Sequence, residues 1–304
     1  MITVESNASI ETRIAPSPHP RVVVATSGDD DSRGAVEFAA RLSEDRGAAV
    51  LAAAVITPMA HVPSRSARNE SPFDDDSRCD VPDVVDRALS VVPASARWTK
   101  RAIRGWPADV INAAAASWDA SLILVGLGRH HAIDRLFGTE TAINVIKHAS
   151  LPVLAVPPHT RELPRRACAA IDFSSASIAA ALLAASLLAE GGKLTLLHAS
   201  PYKGAEAETD PIAQLYRSAA GHRLAEILAV VRKATPHHVD GLLLDGEPAE
   251  AVLEFVGNEH CDLVALGGHP QRLIDRILIG SVRTRVLRAA DCAVLVAPPA
   301  SERD

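Results

Sequence analysis

Short, unbroken runs of apolar residues recur along the chain, with stretches of helical spacing between them. Arg21 to Ala25, Ala48 to Ile56, Ala120 to Val125 and Leu151 to Val156 form one series. Ala167 to Ile171, Lys193 to Ala199, Asp262 to Leu266 and Cys292 to Ala297 form a second. Apolar runs this short, without polar alternation, read as parallel strands buried on both faces. Ser32 to Glu44 and Ser175 to Glu190 are rich in Ala and Leu and predict helices, each ended by glycine (Gly47; Gly191-Gly192) as a C-cap. Strands alternating with helices make the βαβ units of an α/β fold.

The second series repeats the first. Displaced by 141 positions, Gly105-Trp106-Pro107-Ala108 falls on Gly246-Glu247-Pro248-Ala249. The match runs without a gap to Pro157-Pro158 on Pro298-Pro299, through Gly126/Gly267 and Ile133-Asp134-Arg135/Ile274-Asp275-Arg276. That period is the size of a whole domain and far above that of solenoid repeats. The expected organisation is a duplicated domain, 20–158 and 165–299, joined by a proline-rich linker at 159–164. Residues 1–19 and 300–304 read as tails. The halves differ between Thr57 and Arg97, where prolines and the acidic run Asp74-Asp75-Asp76 predict a surface insertion with at most a short helix at Val81 to Leu89. The matching part of the second half, Ile212 to Lys233, predicts a full amphipathic helix.

Composition narrows the picture. Of 304 residues, 48% are hydrophobic but only 3% aromatic, so the core is expected to be Ala, Val, Leu and Ile. A net charge of −6 gives no electrostatic footprint for nucleic acid or an anionic membrane. No run of 18 apolar residues predicts a membrane span, and Met1 to Pro20 lacks the apolar segment of a secretory signal. The expected compartment is the cytoplasm. Cys79, Cys168, Cys261 and Cys292 are widely spaced without a C-x-x-C pair, and read as reduced residues rather than a disulfide framework or zinc site.

Gly267-Gly268-His269-Pro270, nine further residues, then Gly280-Ser281 resembles the G-x-x-G-(nine)-G-[S/T] segment of ATP-binding universal stress proteins. The helix from Val282 to Ala290, the strand Val294-Leu295-Val296, the Gly-x-Pro-Ala motif and Ala170-Ile171-Asp172-Phe173-Ser174 also resemble that family. The resemblance implies two Rossmann-like domains of the adenine nucleotide alpha hydrolase type, each a five-stranded parallel sheet of order 3-2-1-4-5 flanked by helices. It implies an adenine nucleotide, ATP or AMP, with or without Mg2+. Asp172 would sit by the adenosine, Gly267 and His269 along the nucleotide, and Gly280 and Ser281 at the phosphates. It also implies pairing of the two domains through their last strands, with a homodimer of tandem chains as a further option.

The residue chemistry is compatible with those roles. Ligands bind off the carboxyl ends of strands where strand order reverses. A Gly-Ser pair opening a helix offers N–H groups, a hydroxyl and the positive dipole end to phosphate. Pro270 departs from the pattern, since proline has no N–H to donate. In the first half the corresponding candidates are Gly126, Gly128, Gly138 and Thr139. There the ungapped match puts Glu140 on Ser281, and Thr26 or Ser27 replaces the aspartate at the end of the first strand. The second half is therefore the better nucleotide candidate.

Other constellations read as structure. Ser27-Gly28-Asp29-Asp30-Asp31-Ser32 is similar to the S-G-G-x-D-S loop of ATP pyrophosphatases, but its acidic residues favour a turn that N-caps the next helix through Asp31 or Ser32. His130-His131 and His237-His238 lack metal-ligand spacing and read as exposed loop histidines, the latter leading into a strand. Arg129, Arg135, Arg272 and Arg276 can serve phosphate or local Asp–Arg pairs. No catalytic nucleophile is evident. The leading expectation is a non-enzymatic stress-response protein that binds an adenine nucleotide. The alternatives are a ligand-free scaffold, then a slow ATPase or pyrophosphatase-like enzyme.

Overall fold

The structure is a computed structural model and describes residues 20–56, 90, 97–128, 139–202, 209–268 and 282–298. The chain divides into two compact units. One comprises 21–149 with 156–161; the other takes 150–155 together with 162 onward.

In the first unit, β1 (Arg21–Thr26) is flanked by β2 (Ala49–Ile56) and β4 (Leu122–Gly126), and β2 is flanked by β3 (Thr99–Arg104). All these pairings are parallel, giving the order β3-β2-β1-β4. In the second unit, β6 (Arg166–Ala170) lies between β7 (Lys193–Ser200) and β9 (Leu263–Gly267). Beyond these lie β8 (His238–Asp245) and β10 (Ala293–Ala297), so the parallel order β8-β7-β6-β9-β10 is the expected 3-2-1-4-5. Residues 153–155 of β5 (Val153–Val156) belong to this unit and run antiparallel to β10, Leu154 opposite Leu295.

The central strands are buried along nearly their whole length, as their apolar runs require. Val22, Val23 and Val24 of β1, and Cys168 and Ala169 of β6, are fully buried. The core is Ala, Val, Leu and Ile, with Phe38 its one fully buried aromatic among the described residues. The outer strands β3 and β8 are largely exposed.

The helices are α1 (Asp30–Arg46), α2 (Pro107–Ser117) and α3 (Thr139–His148) in the first half. The second half has α4 (Ser175–Leu187), α5 (Pro211–Ala234), α6 (Pro248–Asn258) and α7 (Val282–Ala289). Gly47 ends α1 in the left-handed region at φ 63°, its N–H reaching Ser43 O, as a glycine C-cap should. Two terminal expectations need correction. Helix α4 does not run to Gly191-Gly192. It stops at Leu187, where the cap residue Leu188 turns extended and fully buried and the Ala189 N–H goes to Pro164 O at 2.8 Å. Burying Leu188 and bonding Pro164 outcompete another helical turn. The N-cap of α1 is Asp29, not Asp31 or Ser32: its carboxylate accepts the Ser32 N–H at 3.0 Å.

The duplication is visible bond by bond. Ser121 N–H donates to Arg21 O as Asp262 N–H donates to Arg166 O. Leu127 N–H donates to Val156 O as Gly268 N–H donates to Ala297 O. Asp119 (φ 56°) and His260 (φ 50°) take the same left-handed conformation after α2 and α6. The predicted tails, most of the 57–97 insertion, Cys79 and the histidines His130-His131 lie outside the described residues. So do His269, Pro270, Gly280, Ser281, Gly138 and the arginines Arg129, Arg135, Arg272 and Arg276.

Candidate functional site

In each unit the central strand leaves the sheet at its carboxyl end between neighbours that continue to opposite sides, which is where open α/β sheets bind ligands. The turn there is built the same way twice. After β1, Gly28 adopts φ 79°, Asp29 caps α1 by accepting Ser32 N–H, and Ser32 Oγ donates to Asp29 O at 3.0 Å. After β6, Phe173 adopts φ 66°, Ser174 Oγ accepts Ser177 N–H at 3.2 Å, and Ser177 Oγ donates to Ser174 O at 2.9 Å. Gly28 thus answers to Phe173, Asp29 to Ser174 and Ser32 to Ser177. By the same count Ser27, not Thr26, stands where the second half has Asp172, which settles the choice the sequence left open.

Asp172 is exposed at this turn. Its Oδ1 accepts the Ser174 N–H at 2.9 Å and the Ser174 hydroxyl at 2.5 Å, fixing the carboxylate over the start of α4. Phe173 follows it in a backbone region that costs a non-glycine residue roughly 1–2 kcal/mol. Packing offsets the strain: the Phe173 ring lies 4.2 Å from that of His198 on β7, and the Arg223 guanidinium of α5 lies 5.1 Å from the Phe173 ring centroid. His198 is itself buried, with Nδ1 2.7 Å from Ile171 O and Nε2 2.9 Å from the Tyr216 hydroxyl. Because a carbonyl only accepts, Nδ1 carries the proton. His198 therefore ties β7, the end of β6 and α5 together beneath Asp172. Sequence reasoning misses this cluster, since its members are scattered over Ile171 to Tyr216 with no motif spacing.

Gly126 and Gly267 end β4 and β9 beside these turns, and the structure shows what each glycine admits. A Cβ on Gly126 would lie 2.2 Å from Asp31 O; one on Gly267 would lie 2.6 Å from Ser177 N. The absent side chain lets the first turn of α1 or α4 press onto the neighbouring strand. Gly267 thus sets the floor of the crevice by packing against protein backbone.

The halves differ in what fills the crevice. In the first, the Asp31 carboxylate lies over Gly128, where a Cβ would come within 2.1 Å of it. Thr139 donates its N–H (3.2 Å) and its hydroxyl (2.9 Å) to Gly128 O. The recess lined by Ser27, Asp29, Asp31, Gly126 and Thr141 encloses about 20 Å³, room for about one water. In the second half Ala176 takes the place of Asp31, removing that carboxylate. Among the described residues no group of His, Cys, Asp and Glu is arranged to hold a metal. His238 opens β8, exposed, with Nε2 3.1 Å from Asp240. No described helix is long and apolar enough to cross a membrane.

Comparison with known proteins agrees with this architecture. A family model described as the universal stress protein family matches residues 19–157 and again 164–298. A universal stress protein of Methanocaldococcus jannaschii is 30% identical over 111 residues, 36% of this chain and 64% of the relative, so the chain spans just under two thirds of that protein's length. A universal stress protein of Thermus aquaticus, described by its place in a sulfhydrylase 3′ region, is 31% identical over 122 residues, 39% of this chain and 86% of the relative. Among solved structures, a universal stress protein from Archaeoglobus fulgidus has TM-score 0.60 at 18% identity, covering 91% of this chain and 98% of its own. A putative universal stress protein from Pseudomonas aeruginosa has TM-score 0.59 at 14% identity, covering 92% and 94%. The structural likenesses speak to the fold alone. The two family matches, set on two sheets built by the same bonds, place this chain in the universal stress protein family as a tandem of two such domains.

Proposed function

We propose that the chain is a non-enzymatic, cytoplasmic stress-response protein whose second domain binds an adenine nucleotide, ATP or AMP, with Mg2+ accompanying the triphosphate. The observation that carries this reading is Asp172. It is an exposed carboxylate fixed at the switch point of the second sheet, able to accept from ribose hydroxyls or an adenine amine. The exchange of Asp31 for Ala176 supports the choice of half, because a carboxylate over the glycine turn would repel phosphate. Gly280 and Ser281, which directly precede α7 in the sequence, are the proposed phosphate ligands, with His269 beside the nucleotide. The first domain, including Gly138 and Thr139, is proposed as the partner that keeps the fold without the ligand. The proposal extends to pairing of the domains through their last strands.

Binding would act by favouring one arrangement of the protein through differential affinity. The test is to denature freshly purified full-length protein, separate the released small molecules, and titrate stripped protein with ATP and AMP by calorimetry. Released or titratable adenine nucleotide, weakened by Asp172→Ala or Gly280→Leu and unaffected by Gly138→Leu, is the expected result. No nucleotide in either measurement overturns the proposal in favour of a ligand-free scaffold.

A further inference from the structure

The outer strands β3 and β8 are the same element in the duplication, and their charge is reversed. Displaced by 141 positions, Arg97-Trp98-Thr99-Lys100-Arg101-Ala102-Ile103-Arg104-Gly105-Trp106 falls on His238-Val239-Asp240-Gly241-Leu242-Leu243-Leu244-Asp245-Gly246-Glu247. The first stretch holds Arg97, Lys100, Arg101 and Arg104 and no acidic residue. The second holds Asp240, Asp245 and Glu247 and no Lys or Arg. The whole chain carries a net charge of −6, so β3 is a cationic strip on an acidic protein. Its four cations are exposed, and Trp106 beyond them is 53% exposed.

β3 pairs with β2 on one side, Thr99 opposite Leu51 and Arg104 opposite Ile56. Gly105 N–H donates to Ile56 O at 3.0 Å, as Gly246 N–H donates to Ser200 O at 2.8 Å, so β3 and β8 stand in the same phase. Successive residues of a strand turn their backbone groups to alternate sides. Those of Thr99, Arg101 and Ile103 therefore turn with Gly105 towards β2. Those of Lys100, Ala102 and Arg104 turn to the open side, where no strand lies among the described residues. In the second domain this side is guarded: Arg232 of α5 donates its Nε–H to Val239 O at 2.8 Å. Among the described residues β3 has no such guard, and its cations are held in place without carboxylates. The guanidiniums of Arg21 and Arg101 lie 4.5 and 5.7 Å from the Trp118 ring centroid. Lys100 and Arg104, an odd number of positions from Arg101, take the opposite face. Cations ordered by an aromatic ring have already lost part of the freedom that binding would cost.

We infer that the open edge of β3 docks an acidic, extended polypeptide segment of a partner protein, which adds to the first sheet as a further strand. The edge selects this chemistry. N–H and C=O groups facing outward at every second residue are what an added strand pairs with. Lys100 and Arg101 put cations at consecutive positions and so on both faces, and a run of consecutive Asp or Glu meets a cation on either side. Opposite charges facing each other across paired strands stabilise the pairing. Trp98, half-buried, and Trp106 bracket the strip, and Trp with Arg is the pair of residue types that dominates binding hot spots. A nucleic acid would use the cations but leave the strand's backbone unpaired, and Trp118 is already engaged by Arg21 and Arg101. The same charges refuse a second β3, since like charges would face each other.

The test follows the fluorescence anisotropy of a labelled short peptide of Glu, Asp and Val titrated with the full-length protein. Saturable binding that weakens with salt is the expected result. A probe with Gln and Asn in place of the acids, and the acidic probe N-methylated along its backbone, should each bind about tenfold more weakly or worse. Lys100→Gln/Arg101→Gln/Arg104→Gln should weaken the acidic probe by about tenfold or more, and Arg104→Glu serves if that variant loses the wild-type circular dichroism. Lys147→Gln/Lys233→Gln, exposed on α3 and α5, should change binding by about twofold at most. No saturable binding, equal binding of the N-methylated probe, or equal binding by the strand variant would each overturn the inference. So would tighter binding of a labelled oligothymidylate of matched charge, which would assign the strip to nucleic acid. Binding that appears only in Asp74→Asn/Asp75→Asn/Asp76→Asn would assign the strand to the chain's own acidic run and overturn an outside partner.

Discussion

The carboxylate of Asp31 rests on Gly128, so close that a Cβ on the glycine would fall 2.1 Å from the aspartate Cγ. The first domain has this carboxylate where the second has Ala176, and the contact can be measured as a coupling. Gly128→Ala should destabilise the first domain, because Asp31 must leave its partly buried position. In an Asp31→Ala background the same change should cost less. The double-mutant cycle by urea unfolding should return an interaction energy of about 0.5–3 kcal/mol. Additive effects would show that the two residues do not meet.

Gly126→Ala and Gly267→Ala should each destabilise by about 1–3 kcal/mol or more, since the added Cβ meets backbone at 2.2 and 2.6 Å and backbone cannot rotate away. Gly257→Ala is the contrasting case. It sits exposed in α6 with nothing within 4 Å of an added methyl, and should stabilise by about 0.5–1 kcal/mol through helix propensity. Denaturant midpoints of the three variants check both signs.

Removing the His198 ring should leave the Ile171 carbonyl and the Tyr216 hydroxyl without that partner and take away the ring under Phe173. His198→Leu should therefore cost about 1–3 kcal/mol. It should also loosen the turn that orients Asp172. Hydrogen exchange at Ser174 and Ser177 N–H, faster in the variant than in the wild type, would register that loss.

Glu247 caps α6 by accepting the Glu250 N–H and pairs with Arg285 of α7 at 2.6 Å. Burial works to raise its carboxyl, but the backbone N–H groups of Glu250 and Ala249 and the Arg285 charge outweigh it, leaving the group below the ordinary 4.5. The unfolded chain therefore takes up this proton more readily than the folded one. The stability that Glu247 contributes is present above pH 4.5 and fades as pH falls through the lower folded value. Urea midpoints recorded downward from about pH 6 should fall more steeply in the wild type than in Glu247→Gln. Parallel curves would remove Glu247 from the acid response.

The strands are legible in the sequence where burial on both faces leaves an unbroken apolar run, as in β1, β6 and β10. The duplication is legible because Gly105/Gly246 and Gly126/Gly267 serve the same backbone geometry in both halves. The edges are not. Thr99 to Arg104 holds only two apolar residues, since β3 is paired on one side and exposed on its faces. Helix ends also escape: Asp29, Asp31 and Ser32 are all good caps by type, and only tertiary position selects Asp29. The site is half legible. Asp172 and the terminal glycines stand in recognisable motifs, whereas the His198–Phe173–Tyr216 support arises from tertiary packing, which local spacing does not encode.

The pressing of a helix's first turn onto a bare glycine has a consequence for how such a domain can diverge. The pivot is made from backbone alone, so it places no demand on the chemistry one or two positions away. Ser27 can become Asp172, Asp29 can become Ser174 and Asp31 can become Ala176 while the skeleton stays in register. Two copies fused in one chain can thus drift apart in chemistry, one keeping a carboxylate against its glycine turn and one with alanine in its place, without either losing the means to fold.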